Sequence, residues 1–137
     1  MTFSEDERRQ LAAMRMARAD IVLADASMLV DRGSTLSAVN RCYYAMFYAA
    51  SALAIRDDCD FHKHRAVISW FNREYVNTGR FSRESGKSFR MAFDQRCDAD
   101  YTDVATFTAE QVAAMLEQAR RFVAEVKSLL QATDYPP

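Results

Sequence analysis

A long stretch near the middle of the chain repeats apolar and aromatic side chains at three- and four-residue spacing, which a helix brings onto one face. The repeat consists of Leu36, Val39, Tyr43, Met46, Ala50 and Leu53. Arg41 is the single charged residue between Thr35 and Ile55. Because an unpaired buried charge costs several kcal/mol, we expect Arg41 to have hydrogen-bond partners or to face a partly wet site.

The composition favours helices throughout. The 137 residues include only three glycines and two prolines, and half of them are hydrophobic. Helix formers fill the periodic segments, and no strand pattern competes with them. The sequence therefore predicts an all-α, single-domain antiparallel bundle of four to five helices over residues 1–137, with a core from about 4 to 130 and a frayed tail at 131–137.

Two helices are predicted in the first half of the chain. Ser4 and Glu7 fit a capping box, and Gly33 provides a left-handed stop for the first helix. Ser34 is expected to cap the second helix, which ends near Arg56. The predicted buried stripe of the first helix consists of Leu11, Met14, Ala17, Ile21, Ala24 and Met28.

Three more helices are predicted in the second half. The third runs from about Lys63 to Asn77 before Gly79, and the fourth from about Ser82 to Cys97. A second capping box at 108–111 opens the fifth. The inward residues are Val67, Ile68, Phe71 and Tyr75 in the third helix, Phe89, Ala92 and Phe93 in the fourth, and Val112, Met115, Leu116, Ala119, Phe122, Val123, Val126, Leu129 and Leu130 in the fifth.

The location of the protein is predicted from two features. The longest uncharged run, Cys42 to Ile55, has 14 residues, fewer than the ~20 that span a bilayer. The first six residues lack the basic start of an export signal, and the three cysteines are widely spaced. We therefore expect a cytoplasmic protein with reduced thiols and no membrane association.

Positive charge is concentrated in one segment. Residues 62–96 contain eight lysines or arginines against three acids, a local charge of +5 in a chain whose net charge is −1. Such a segment is suited to phosphate contact, although a solvated helix face is the commoner explanation.

Three motifs follow one another in a distinctive order. They are Asn40-Arg41-Cys42-Tyr43-Tyr44-Ala45-Met46-Phe47, then His64-Arg65-Ala66-Val67-Ile68 with Phe71 and Gly79, and finally Arg96-Cys97-Asp98-Ala99-Asp100-Tyr101. Together they resemble the small bacterial and archaeal HEPN-domain proteins over about residues 4–130. The resemblance implies a helical bundle that commonly forms a homodimer, often encoded beside a minimal nucleotidyltransferase as a toxin and antitoxin pair. It also implies metal-independent RNA cleavage, which many members perform with an arginine and a histidine four to six residues apart at a dimer cleft.

The chain departs from that catalytic pattern at the histidine. Five residues after Arg96 stands Tyr101, so the motif reads Arg-x4-Tyr, and seven residues after Arg41 stands Tyr48. Arg56 and His62 match the spacing but straddle a predicted loop. A tyrosine with a pKa of about 10 is a poor base at neutral pH, although it can still stack on or hydrogen-bond to RNA. The simplest structural alternative is that Asp100 and Tyr101 cap the fourth helix.

The residues of these motifs predict a site. The catalytic candidates are Arg96, Asp100 and Tyr101, and the RNA- or nucleotide-binding candidates are Arg41, Tyr44, Tyr48 and Arg90. Arg41, Tyr44 and Tyr48 lie on one face of the second helix and can line a shared cleft. Alternatively, Arg41 pairs with an acid of the fourth helix, and the tyrosines belong to the core; the acids considered are Asp94, Asp98 and Asp100.

No metal or cofactor is expected. Cys59, His62 and His64 fall short of the four ligands of a structural zinc site. The carboxylates Asp94, Asp98, Asp100 and Asp103 are interleaved with Arg96, which indicates ion pairing at a helix end rather than magnesium binding.

Two functions remain open at this point. The first is a toxin or defence protein that acts on RNA. The second is a catalytically silent dimerisation or nucleotide-binding module for a partner nucleotidyltransferase, favoured by the missing histidine. The resemblance adds a third role, in which that partner transfers a nucleotide onto Tyr101 or Tyr48.

Overall fold

The computed structural model describes residues 2–102 and 105–132, which form five α-helices. They are α1 (Glu5–Asp31), α2 (Thr35–Arg56), α3 (His64–Phe71), α4 (Arg83–Tyr101) and α5 (Ala109–Ala132), with a π-helical turn (Asn72–Val76) continuing α3. No strand occurs in these ranges, and the predicted all-α bundle is confirmed. Of the tail predicted to fray, residues 131 and 132 belong to α5, and 133–137 lie outside the described residues.

α2 is the central helix and contacts all four others. Its predicted stripe is buried from Val39 to Leu53, whereas Leu36 is 46% exposed. Aromatic side chains of α4, of α5 and of the segment before α4 pack around Phe71 of α3. The Phe71 ring centroid lies 4.8 Å from that of Phe81, 5.3 Å from that of Phe122 and 5.8 Å from that of Phe89. The inward residues predicted for α3 and α5 therefore meet as expected, with Leu129 and Leu130 at the partly buried margin.

The predicted buried face of α1 is wrong. The residues that face the core are Ala12, Met16, Ala19, Val22 and Ala26. Met14, Ile21 and Met28 are 67%, 63% and 63% exposed. The alanine row faces α2, which is itself rich in buried alanines, and small side chains on both helices permit their close approach. The larger apolar stripe is consequently left on the outside.

The helix ends follow the local sequence signals. Both capping boxes are present: Glu7 N–H donates to the Ser4 hydroxyl, and Gln111 N–H to that of Thr108. Gly33, with a φ of 75°, ends α1, and the N–H of Ser34 donates a hydrogen bond to the Leu29 carbonyl. Ser34 is the N-cap residue of α2, but its side chain makes no capping hydrogen bond because its ψ of 76° departs from the extended conformation that capping requires.

α4 continues one turn beyond the predicted end at Cys97, to Tyr101. Asp100 and Tyr101 are therefore helical residues rather than a cap, and Asp100 lies one turn after Arg96 on the same face. At the other end of α4, Glu125 of α5 accepts hydrogen bonds from the hydroxyls of Ser82 and Ser85, at 2.7 and 2.8 Å. This carboxylate fixes α4 against α5.

Candidate functional site at the crossing of α2, α3 and α4

The guanidinium of Arg96 lies where α4 crosses α2 and the start of α3. Its Nη2 donates to the Tyr44 hydroxyl at 3.0 Å, and its Nε lies 3.5 Å from an Asp100 carboxylate oxygen. The rings of Tyr43, Tyr44 and Phe93 surround it with centroids 5.4, 5.4 and 5.9 Å from its central carbon. The side chain is only 11% exposed. Arg96 is thus a nearly buried cation held by rings, a hydroxyl and a carboxylate.

The imidazole beside Arg96 belongs to His64, the first residue of α3. Its Nδ1 lies 3.4 Å from Arg96 Nη2 and 2.9 Å from the Tyr43 hydroxyl. Its ring stacks on Phe47 at 4.3 Å. This histidine was not predicted as a site residue, because a histidine was expected a few residues after Arg96 on the same helix, whereas His64 stands 32 residues earlier. The signal that could have found it is the second family-like motif, which begins at His64.

The surroundings of His64 select one protonation state. Because a guanidinium can only donate, the contact of Arg96 Nη2 with Nδ1 favours the tautomer in which Nδ1 accepts and Nε2 carries the proton. Burial and the positive charge of Arg96 hold the pKa of His64 below its usual range. The imidazole is therefore neutral at pH 7, and burial raises the pKa of the Tyr43 hydroxyl that hydrogen-bonds to it.

A chain of polar contacts joins Arg96 to Arg41. The amide nitrogen of Asn40 lies 3.3 Å from the Asp100 carboxylate, and the Asn40 oxygen accepts from Arg41 Nη2 at 2.6 Å and from its Nε at 3.0 Å. Arg41 therefore reaches Asp100 only through Asn40, and the predicted direct pairing of Arg41 with an acid of α4 is wrong among the described residues. Arg41 itself is half-buried at the edge of an open cavity of about 410 Å³ that Asp100 also lines.

Arg41, Tyr44 and Tyr48 form a row along α2, as their spacing predicts. The central guanidinium carbon of Arg41 lies 5.1 Å from the Tyr44 ring centroid, and the Tyr44 and Tyr48 centroids are 6.1 Å apart. Arg18 of α1 continues the row at 5.5 Å from the Tyr48 ring. Tyr48 also lines a second cavity of about 360 Å³ between α1 and α2. We call this set, Arg41, Tyr44, Tyr48 and Arg18, the α2 row.

Two other predicted site residues lie apart from Arg96. Tyr101 is 76% exposed, because a residue five positions after Arg96 lies on a different face of the helix. Arg90 is exposed and lines a cavity of about 250 Å³ together with Arg65 and Phe93. Phe93 links this cavity to the centre, since its ring contacts the guanidinia of both Arg65 and Arg96.

Neither a cluster of metal ligands nor a membrane-spanning helix is found in the part of the chain that the structure describes. Within residues 2–102 and 105–132, no three histidine, cysteine or acidic side chains cluster in a way that would hold a metal ion. Asp103, one of the four carboxylates considered from the sequence, lies outside the described residues. Across the described ranges, no helix combines the length and apolarity that a bilayer crossing requires. The three cysteines are unpaired, with Cys42 buried.

Comparison with known families gives the class of protein to which this helical bundle belongs. Residues 12–129 match the HEPN domain, so the chain belongs to the HEPN-domain family. A "UPF0332 protein" of Thermotoga maritima is 35% identical over 92% of this chain and 96% of its own length.

Two archaeal relatives carry a functional name. A "Putative toxin" of Methanocaldococcus jannaschii is 30% identical over 93% of this chain and 94% of its own length. A second "Putative toxin" of the same organism is 29% identical over 68% of this chain and 63% of its own length. The HEPN family to which this chain belongs thus includes two relatives that are named putative toxins.

Proposed function

We propose that this protein is a toxin or defence component that acts on RNA, and that Arg96 and His64 are the residues that act on the phosphate. The observation that carries the proposal is the distance of 3.4 Å between Arg96 Nη2 and His64 Nδ1. RNA cleavage without a metal needs a cation for the charge that develops on the phosphorane and a group that accepts the 2′-OH proton. In this pair, Arg96 of α4 supplies the cation and His64 of α3 supplies the group that accepts the proton.

The tautomer of His64 suggests how RNA would activate it. While Arg96 lies against Nδ1, that nitrogen is an acceptor, and Nε2 carries the proton. If a phosphate drew the Arg96 guanidinium away, Nδ1 could carry the proton instead. The Nδ1–H group would then donate a hydrogen bond to the Tyr43 oxygen, which can accept as well as donate. Nε2 would then be free to take the 2′-OH proton. The lowered pKa keeps the imidazole unprotonated for this step.

The surroundings of the pair fit single-stranded RNA. The α2 row offers two tyrosine rings for stacking, with a guanidinium at each end for phosphate. Arg65 and Arg90 extend the positive charge along α3 and α4. Asp100 holds Arg96 and would act as a positioning residue rather than a catalytic one.

Three further parts of the proposal come from the family. We propose that two copies associate so that RNA lies in the cleft between them, that a minimal nucleotidyltransferase is the antitoxin partner, and that the activity is cytoplasmic. The unpaired cysteines are compatible with a reducing compartment.

The test is cleavage of labelled transfer RNA and messenger RNA in EDTA, with binding measured in parallel. Arg96→Lys keeps the positive charge but loses the planar guanidinium group with its paired N–H donors. We expect this variant to cleave RNA at least tenfold more slowly. His64→Gln should abolish cleavage while RNA still binds. Arg73→Ala is the control, because Arg73 is also in the basic segment but is exposed and paired with Glu74. Native protein that neither binds nor cleaves RNA would overturn the proposal.

The catalytically silent module is the second candidate. It is favoured by the small exposure of Arg96, whose contacts also suit a purely structural cation. It predicts nucleotide or partner binding without cleavage by the native protein. If the partner modifies this chain, Tyr101 offers the more accessible hydroxyl, and Tyr48 is half-buried. Intact-mass analysis after co-expression, repeated with Tyr101→Phe, would show an adduct that the variant lacks.

A further inference from the structure

A cavity of about 360 Å³ lies between α1 and α2, beside the candidate site. The rings of Phe47, Tyr48 and Phe61 line it. Phe47 also stacks on His64 at a centroid distance of 4.3 Å, so the same side chain borders both the cavity and the imidazole. Tyr48 in turn lies next to Tyr44, with the two ring centroids 6.1 Å apart. The cavity therefore adjoins the crossing of α2, α3 and α4.

A guanidinium and a carboxylate lie side by side in the wall of this cavity. Arg15 Nη2 lies 3.5 Å from Asp60 Oδ1. Arg15 Nη1 donates to the Ser51 carbonyl at 3.0 Å, and this hydrogen bond fixes the orientation of the guanidinium. The Asp60 side chain is 52% exposed, so both of its oxygens can accept hydrogen bonds from a ligand. The cavity therefore presents one donor followed by two acceptors.

This order of donor and acceptors is complementary to the Watson–Crick edge of guanine, which presents the O6 acceptor followed by the N1–H and N2–H donors. Arg15 would donate to O6, and the two oxygens of Asp60 would accept from N1–H and N2–H. Adenine presents a donor and then an acceptor in the first two places, and uracil presents an acceptor in the third. Each of these bases would leave a polar group facing another of its own kind.

We infer that this cavity binds a guanine base, presented by the RNA strand whose phosphate lies at Arg96 and His64. The inference rests on the proposed function and names the base that the site selects. The aromatic rings offer faces on which a base stacks, while the ion pair recognises its edge. The guanidinium of Arg18 also lines the cavity, 5.5 Å from the Tyr48 ring centroid, where it can contact a phosphate of the same strand.

Free nucleotides test the cavity independently of RNA cleavage. Calorimetric titration of the native protein should show that guanosine monophosphate binds at least tenfold more tightly than adenosine monophosphate. Inosine monophosphate, which lacks the N2 amino group, should also bind at least tenfold more weakly than the guanine nucleotide. Ribose 5-phosphate is the probe for a site that binds the phosphate alone. Equal affinity for guanosine monophosphate and either adenosine monophosphate or ribose 5-phosphate would overturn the inference.

Asp60→Asn should change the specificity of the cavity, a result that loss of structure would not produce. Asparagine replaces one acceptor by a donor, and xanthine carries an oxygen where guanine carries the N2 amino group. The variant should therefore bind xanthosine monophosphate at least tenfold more tightly than guanosine monophosphate. Asp58→Asn is the matched control, because it removes the same charge from an exposed residue outside the cavity wall, and it should keep the native preference. An Asp60→Asn protein that still prefers the guanine nucleotide would overturn the inference.

Cleavage of short single-stranded RNA in EDTA tests whether the base belongs to the RNA strand. We expect cleavage next to a single guanosine, at least tenfold faster than when inosine replaces it. Equal rates on both RNAs, with guanosine monophosphate still bound, would overturn the RNA subsite and identify a free guanine nucleotide as the ligand. Cleavage without preference among the bases and without guanine nucleotide binding would overturn the inference and leave the proposed function standing. Guanine nucleotide binding by a protein that neither binds nor cleaves RNA would overturn the proposed function instead.

Discussion

Replacing Arg96 by alanine should destabilise the protein substantially, and the contacts of Arg96 give the magnitude. The variant loses a charge-assisted hydrogen bond to Tyr44, contributing about 1.5–3 kcal/mol, and ring contacts of about 1 kcal/mol. We therefore expect the free energy of unfolding to fall by about 3 kcal/mol, which for a chain of this length lowers Tm by about 10 °C.

Urea unfolding followed by circular dichroism measures this loss. Arg90→Ala on the same helix is the control and should change stability by less than about 0.5 kcal/mol, because Arg90 is exposed. Asp100→Asn allows a double-mutant cycle with Arg96→Ala, for which we expect a coupling of about 1 kcal/mol. An Arg96→Ala protein as stable as the native one would refute the view that the bundle is built around this cation.

Three further predictions concern pH, packing and capping. The folded-state pKa of His64 is lowered, so the neutral imidazole contributes to stability above about pH 6.5, and this contribution is lost as the pH falls. On acidification, the native protein should therefore lose more stability than the His64→Gln variant. Gly86→Ala should destabilise the protein, because the new Cβ would lie 2.6 Å from a Val76 methyl. In a Val76→Ala background, the same change should stabilise the protein by about 1 kcal/mol. Equal effects in both backgrounds would contradict the packing argument. Glu125→Ala should cost about 2 kcal/mol by removing the acceptor of Ser82 at the start of α4, and chemical unfolding that shows no loss would disprove this role.

The prediction for α1 shows what periodicity leaves open. Two apolar rows run along this helix, one of larger residues through Ile21 and one of alanines through Ala19. Side-chain size favoured the first row as the buried one, but α2 presents alanines of its own, so the second row permits the closer contact. The choice between two apolar faces depends on the partner helix, which no local pattern describes.

The spatial grouping of the residues proposed for the site was predicted in part. Arg96, Asp100, Arg41 and Tyr44 do lie in one connected network. Tyr101 was assigned beside Arg96 from spacing along the chain, but it is 76% exposed. The imidazole that does contact Arg96 comes from another helix, and such a pairing cannot be read from spacing within one segment.

Patterns along the chain were enough to predict the number of helices, most of their ends and the buried stripes of α2, α3 and α5. These features depend on interactions within a few residues: backbone hydrogen bonds, capping side chains such as Ser4, and the helical repeat of apolar positions. In contrast, the covered face of α1 and the contact between His64 and Arg96 became visible only in the folded bundle. Both depend on how helices are rotated and placed against one another, and that placement results from the packing of the whole core.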